Sequence, residues 1–172
     1  YELAPYTWEL VQNFKRGKAI FTQPPIPIKC AGAPQKALYL SASHWLKTGV
    51  INDINIDFYN AGGVLFGVPD YVPALQSYID KYNAKTHFLH KLVKIDGASK
   101  TAWFETNNEQ GEVVTLSTQF DMIHVCPPQC APDFIANSSL SDADGWLDVD
   151  PSTLQHKRVK NCLLYTSDAA DE

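Results

Sequence analysis

The chain has 172 residues, 45% of them hydrophobic and 12% aromatic, which suits one compact domain or part of a larger one and excludes a disordered segment. No apolar run approaches the roughly 20 residues needed to cross a bilayer, and the start "YELAPYTWEL" has neither the basic opening nor the apolar centre of a secretory leader. A net charge of −5, without a basic run carrying interleaved aromatics, argues against nucleic acid as a partner.

In chain order, "WELVQNFKR" places Trp8, Val11 and Phe14 at helical spacing, with Gly17 as a stop. "KAIFT" then reads as a short buried strand. "PQKALYLSASHWLKTG" carries Leu38, Ala42 and Trp45 on one helical face, with Pro34 in the first turn and Gly49 at the C-terminal cap. "INIDFYNA" alternates as a strand and runs into the glycine loop "AGGVLFG". A helix over "PDYVPALQSYIDKYNA" leads to "KTHFLHKLVKID". "KTAWFET" and "EVVTLS" flank the polar "NNEQG" as a hairpin, and the strand "FDMIHV" precedes a proline-rich crossing. Strands alternating with helices predict an α/β fold. It is a Rossmann-like parallel sheet with right-handed crossovers, helices on both faces and a β-hairpin insertion of the kind found in flavoprotein reductases.

A dinucleotide fingerprint belongs after the first strand or after "INIDFYNA", where its glycines let the backbone approach a pyrophosphate. "AGGVLFGVP" does not spell it: Gly62, Gly63 and Gly67 are wrongly spaced, and Pro69 opens the next helix. The histidines His44, His87, His90 and His156 are scattered, and none pairs with an acid at a spacing that predicts catalysis, so each reads as structural or solvent-facing.

Four cysteines are too few for a disulfide-built scaffold, so their separate contexts carry the information. Cys126 and Cys130 flank "PPQ" at a strand end. They supply half a zinc site at most and read more simply as small residues in a proline turn, and His124 shares the Cys126 side if the strand continues straight. Cys30, in "IPIKCAGAPQK", has the open roles of filler, disulfide partner, metal ligand or reactive centre. Lys29 is adjacent, Lys36 lies a helical turn on, and the positive end of the helix beginning near Pro34 faces the loop; such settings favour a thiolate. Ala31, Gly32 and Ala33 leave room for a flat cofactor or small substrate.

The blocks "FTQPPIPIKCAGAPQKALYLS", "FGVPDYVPALQ", "FDMIHVCPPQCAPDFI" and "GWLDVDPSTLQHKR" resemble the mitochondrial-type branch of sulfide:quinone oxidoreductase, from about Trp8 to Asn161. The resemblance implies a flavoprotein of two dinucleotide-type domains and a C-terminal membrane-associating region, peripheral on the mitochondrial inner membrane, or on the cytoplasmic membrane in a bacterium. It implies that sulfide opens a cysteine disulfide or trisulfide, leaving a persulfide on one cysteine and a thiolate on the other. Two electrons then pass through FAD to ubiquinone, and the sulfane sulfur leaves to an acceptor such as sulfite or glutathione. Cys30 matches the catalytic cysteine that faces the flavin.

The chain also departs from that pattern. The N-terminal FAD fingerprint would precede Tyr1, the glycine-aspartate FAD block would follow Asn161, and the partner cysteine would lie further on, so the cofactor-binding residues stay unknown. Cys126 and Cys130 stand where the family usually has other residues. "CLLYTSDAADE", residues 162–172, breaks the pattern abruptly and reads as a translated sequencing adapter, while Tyr1 in place of Met points to a start within a longer reading frame. The expected division is residues 1–17 as the tail of the FAD domain or a connecting helix, and 18–118 as a nucleotide-like second domain. Residues 119–161 form a return segment and 162–172 the adapter. The rival readings are a type II NADH dehydrogenase-like flavoprotein, a non-catalytic thiol or persulfide-binding module, and a zinc-stabilised interaction domain.

Overall fold

A computed structural model describes residues 4–164. The chain divides into two compact units, Tyr1–Pro128 and Gln129–Glu172.

The first unit opens with α1 (Ala4–Asn13), β1 (Gly17–Gln23), α2 (Ala33–Lys47), β2 (Ile54–Asn60), α3 (Val72–Lys81) and β3 (Lys85–Phe88). β4 (Lys91–Asp96), β5 (Thr101–Asn107), β6 (Val113–Gln119) and β7 (Met122–His124) follow. β3, β2, β1 and β7 form a parallel sheet in that order, with Gly17 paired to Ile54 and Phe21 to both Phe58 and His124. β4, β5 and β6 form a separate antiparallel sheet whose β5–β6 turn is the expected polar hairpin.

β1 runs through the middle of the parallel sheet, and Ala19 to Thr22 are buried without a break, as a strand covered on both faces requires. Ala19, Phe21, Ile56 and Phe58 meet Val11 of α1, Leu38, Ala42 and Trp45 of α2, and Ile79 of α3. Ile20 and Tyr59 point the other way, onto Ala102 and Phe104 of β5. The parallel sheet and hairpin follow the sequence expectation, but the helices gather on one face. The second face is covered by the three-stranded sheet, because β5 alternates in burial and turns one apolar side inward.

α2 keeps its expected helical face, and Gly49 ends it at φ +78°, the left-handed C-terminal position glycine accepts without a Cβ penalty. The Trp45 indole N–H donates to the Val11 carbonyl at 2.9 Å, which satisfies an acceptor at the end of α1. Trp8 shares that helix but is exposed, its ring edge against His44 at 4.9 Å. "KTHFLHKLVKID" reads as one segment yet forms two strands in two sheets. Leu89 turns at φ +59°, and the Leu89 and His90 amides donate to the carbonyls of Gly62 and Asn60.

Among its described residues, the second unit holds one short helix, α4 (Asp133–Ala136), and isolated bridges including Val149 with His156. His156 is 2% exposed; its Nδ1 accepts from the amides of Arg158 and Val159, and its Nε2 donates to Leu140 O at 2.9 Å. That ring therefore organises the "DVDPSTLQHKR" block structurally. Of the segment expected to be adapter, the Cys162 carbonyl accepts from the His156 amide and the Leu164 amide donates to the Leu154 carbonyl; residues 165–172 lie outside the described residues.

Candidate functional site

In an open parallel sheet, ligands collect beyond the C-terminal strand ends where the chain reverses its direction of travel across the sheet. Here the chain goes from β1 outward to β2 and β3, then returns to place β7 on the other side of β1. The loops after β1 and β7 mark that reversal, and they carry Cys30 and Cys126.

Cys30 is exposed and free, in the loop that leads directly into α2. Its carbonyl accepts from the Ala33 amide at 3.2 Å, and Gly32 then opens the helix. Lys29 and Lys36 are exposed on either side of it in the chain. A Cβ added at Gly32 would meet only Phe66, at 3.8 Å. Ile28 and Ala31 flank Cys30 closely in sequence and both line a groove of about 560 Å³. Pro25, Ile26 and Ile28 contribute one wall and Val64, Leu65 and Phe66 the other, and no charged side chain lines it. Ile26 is 88% exposed.

The second wall is the "AGGVLFG" loop, held by buried amides. Asn60 is 0% exposed, donates from Nδ2 to Val64 O at 3.0 Å and accepts the Gly62 amide on Oδ1 at 2.8 Å. Gln35, 2% exposed in the first turn of α2, donates from Nε2 to the Leu65 carbonyl. Tyr39 Oη shares its proton between Gln35 Oε1 at 3.1 Å and Leu75 O at 3.2 Å. Burial pushes the Tyr39 hydroxyl up to about 12, so it remains a donor at neutral pH.

Cys126 lies 4.0 Å from His124 Nδ1, so the two do share a side. Burial pushes the thiol up and the imidazole down, which favours the uncharged form of each. Cys130 is exposed and free. Among the described residues no three His, Cys, Asp or Glu side chains converge on a point that would hold a metal, so the zinc reading gains no support.

One polar cluster escaped the sequence reading. His87 Nε2 donates to Asp57 Oδ1 at 2.6 Å, and Lys18 Nζ lies 3.4 Å from the other oxygen while donating to Thr118 Oγ1 at 2.7 Å. His87 stacks on Tyr59, which stacks in turn on Phe104. Burial would raise the Asp57 pKa, but the His87 hydrogen bond and the Lys18 charge outweigh it and hold the carboxyl below its usual range. His87 thus does pair with an acid, one 30 residues away in sequence and brought beside it by the β2–β3 pairing. No local spacing signals such a partner.

No family model matches the chain. It is 43% identical over 155 residues to a mitochondrial sulfide:quinone oxidoreductase of Mus musculus, covering 90% of this chain and 34% of that protein. Proteins of the same name from Dictyostelium discoideum and Schizosaccharomyces pombe are 39% and 34% identical over 163 residues. The chain is related to the mitochondrial sulfide:quinone oxidoreductases. It spans about a third of the length of these curated relatives. Among solved structures, the sulfide:quinone oxidoreductase of Aquifex aeolicus superposes with a TM-score of 0.65 at 18% identity, covering 94% of this chain and 37% of that one. A thioredoxin reductase of T. acidophilum superposes with a TM-score of 0.50 at 13% identity, covering 84% of this chain and 42% of that one. These two show a shared fold. The sulfide:quinone oxidoreductase similarity thus covers residues of both units.

Proposed function

We propose that this chain is the Cys30-bearing part of an enzyme that oxidises sulfide, passing two electrons through FAD to a quinone and the sulfane sulfur to an acceptor. The similarity to three sulfide:quinone oxidoreductases over nearly the whole chain carries the reading. In it, residues 18–118 form the nucleotide-like domain and 119–161 the return toward the FAD domain. The enzyme works at the mitochondrial inner membrane surface, with membrane attachment supplied outside this chain; no helix among the described residues is long and apolar enough to cross a bilayer.

The chemistry asked of Cys30 is thiol exchange. Hydrosulfide attacks one sulfur of a disulfide between Cys30 and a partner cysteine elsewhere in the whole protein. One S–S bond forms as one breaks, leaving a persulfide on the partner and the Cys30 thiolate as leaving group. A second nucleophile then takes the outer sulfur of the persulfide. FAD, when bound, accepts the electron pair released as the disulfide is restored. The groove fits the flat, apolar ring portion of such a cofactor, being uncharged and lined by Ile28, Leu65 and Phe66. Nothing in it suits the phosphates, whose fingerprint the "AGGVLFG" loop does not spell. This chain's own contribution is to present the thiol at an exposed loop that leads directly into α2.

The test is Cys30→Ser in the full-length enzyme. We expect flavin content to persist and sulfide-dependent quinone reduction to fall by about 10³-fold or more, as when a nucleophile is removed from a unit that acts together. Retention of wild-type turnover would overturn the assignment.

A further inference from the structure

We propose that His87 and His90 form a two-imidazole site for a divalent first-row transition metal ion, with water completing its coordination. The cavity they line shares no residue with the groove that Ile28 and Ala31 line, so the inference stands apart from the sulfide-oxidation reading.

The fold sets both imidazoles in place. β3 pairs His87 with Tyr59 of β2, and their rings stack at 4.2 Å. Leu89 then turns the chain through the left-handed region, and the His90 amide donates to the Asn60 carbonyl at 3.0 Å, which pins the second histidine across the turn from the first. The His90 ring lies 5.7 Å from Tyr59 and 5.8 Å from His87, inclined 66° to each. Nearly equidistant from two stacked rings, it stands beside the stack, at the edge of His87 rather than over its face. An ion about 2.0–2.1 Å from a nitrogen of each ring sets two imidazole centroids roughly 5 to 6.5 Å apart, and the pair here falls inside that range.

Each ring is hydrogen-bonded on one nitrogen. His87 donates from Nε2 to Asp57 Oδ1 at 2.6 Å, and His90 donates from Nδ1 to Phe88 O at 2.7 Å. Metal-ligating histidines give their far N–H to a carboxylate or a backbone carbonyl in this way, which fixes the tautomer and leaves the other lone pair for the ion. Among the described residues no hydrogen bond occupies His87 Nδ1 or His90 Nε2. Both rings line a cavity of about 340 Å³ with the hydroxyl residues Ser117 and Thr118, and the His87 side chain is 31% exposed, so water reaches the pair. No third His, Cys, Asp or Glu of the described residues joins them, and the Asp57 charge is already shared with Lys18. The donors are therefore imidazole and water, which suit Ni²⁺, Cu²⁺ or Zn²⁺ and not Mg²⁺ or Ca²⁺.

The experiment titrates Ni²⁺ into the 172-residue chain by calorimetry, with the thiols capped by iodoacetamide so that cysteine does not compete. We expect one saturable site, no heat of binding from Mg²⁺, and affinity reduced by about tenfold or more in His87→Gln and in His90→Gln, since losing even an outer partner of a ligand costs about 10- to 100-fold. His44→Gln should bind as the parent chain does. Peptide mass spectrometry after diethyl pyrocarbonate treatment locates the ion: Ni²⁺ should protect His87 and His90 and leave His44 reactive. Absence of saturable binding overturns the proposal, as does a natively folded His90→Gln that keeps its affinity, or protection spread equally over all three histidines. If His87→Gln does not fold, His90→Gln decides alone, because its ring holds only the carbonyl of Phe88 by a hydrogen bond. Nickel binding requires neither sulfide, flavin nor quinone, so either result leaves the role of Cys30 to its own test.

Discussion

Asp57 is the residue at which burial and charge oppose each other most directly. It lies between the two sheets, and its carboxylate is compensated by His87 at 2.6 Å and Lys18 at 3.4 Å. Its folded pKa lies below the ordinary 3.8, so the native state binds this proton less readily than the unfolded chain. The resulting stabilisation is complete above the unfolded value and is lost as pH falls from about 3.8 through the lower folded value. Asp57→Asn should therefore flatten the acid limb of a stability-against-pH curve measured by urea unfolding, with the two proteins converging at the acid end. At pH 7, Asp57→Ala should destabilise by about 1–3 kcal/mol, because it removes a buried hydrogen-bonded carboxylate whose partners, His87 and Lys18, are only partly buried. Equal acid slopes in wild type and Asp57→Asn would remove the ion cluster from the account. The thiol proposed as reactive is legible where this cluster is not. Cys30 announces itself through its immediate neighbours Lys29, Ala31, Gly32 and Pro34, whereas Asp57, His87 and Lys18 meet only through the pairing of β2 with β1 and β3. Gln35 is intermediate: it sits inside the recognisable "KCAGAPQK" block, but its partner Leu65 is set by the fold.

The elements differ in how much of their stability comes from packing and how much from backbone form, and α2 separates the two. Trp45 is fully buried, packs near Phe14 and Phe21, and closes a carbonyl of α1. Trp45→Ala should cost about 3–5 kcal/mol in urea denaturation, from lost transfer energy and the remaining cavity. Gly49, four residues on, has nothing within 4 Å of an added Cβ, so Gly49→Ala pays only for the left-handed backbone, about 1 kcal/mol. A cost at Gly49 equal to that at Trp45 would mean the helix end is packed rather than merely shaped. α2 is legible in sequence because its period, its proline and its glycine all agree. The break between β3 and β4 is not, since "THFLHKLV" is extended on both sides of Leu89. What divides it is the pair of carbonyls, from Gly62 and Asn60, that capture the Leu89 and His90 amides. The antiparallel cover was likewise hidden, because an alternating strand such as β5 shows which side is apolar but not which sheet it will face.

At the scale of the whole molecule, the question is what this length of chain does by itself. Its parallel sheet brings Cys30 to the reversal point and walls one uncharged groove there. Holding a dinucleotide also requires glycines spaced for a pyrophosphate and groups for its charge. The loop in that position has Gly62, Gly63 and Gly67 at other spacing, and its Leu65 is buried beneath a side-chain amide instead of leaving a phosphate cradle open. Thiol exchange further requires a second sulfur at bonding distance, and all four cysteines here are free. The purified 172-residue chain should therefore not turn over when given FAD, sulfide and a soluble quinone, although Cys30 should still alkylate. Flavin absorbance after desalting, and its bleaching on sulfide addition under anaerobic conditions, are the readings to take. Retained flavin that bleaches would show that this chain completes the redox site alone. It would then promote Cys126, half-buried 4.0 Å from His124 in the loop after the neighbouring strand, to the first candidate for the partner of Cys30.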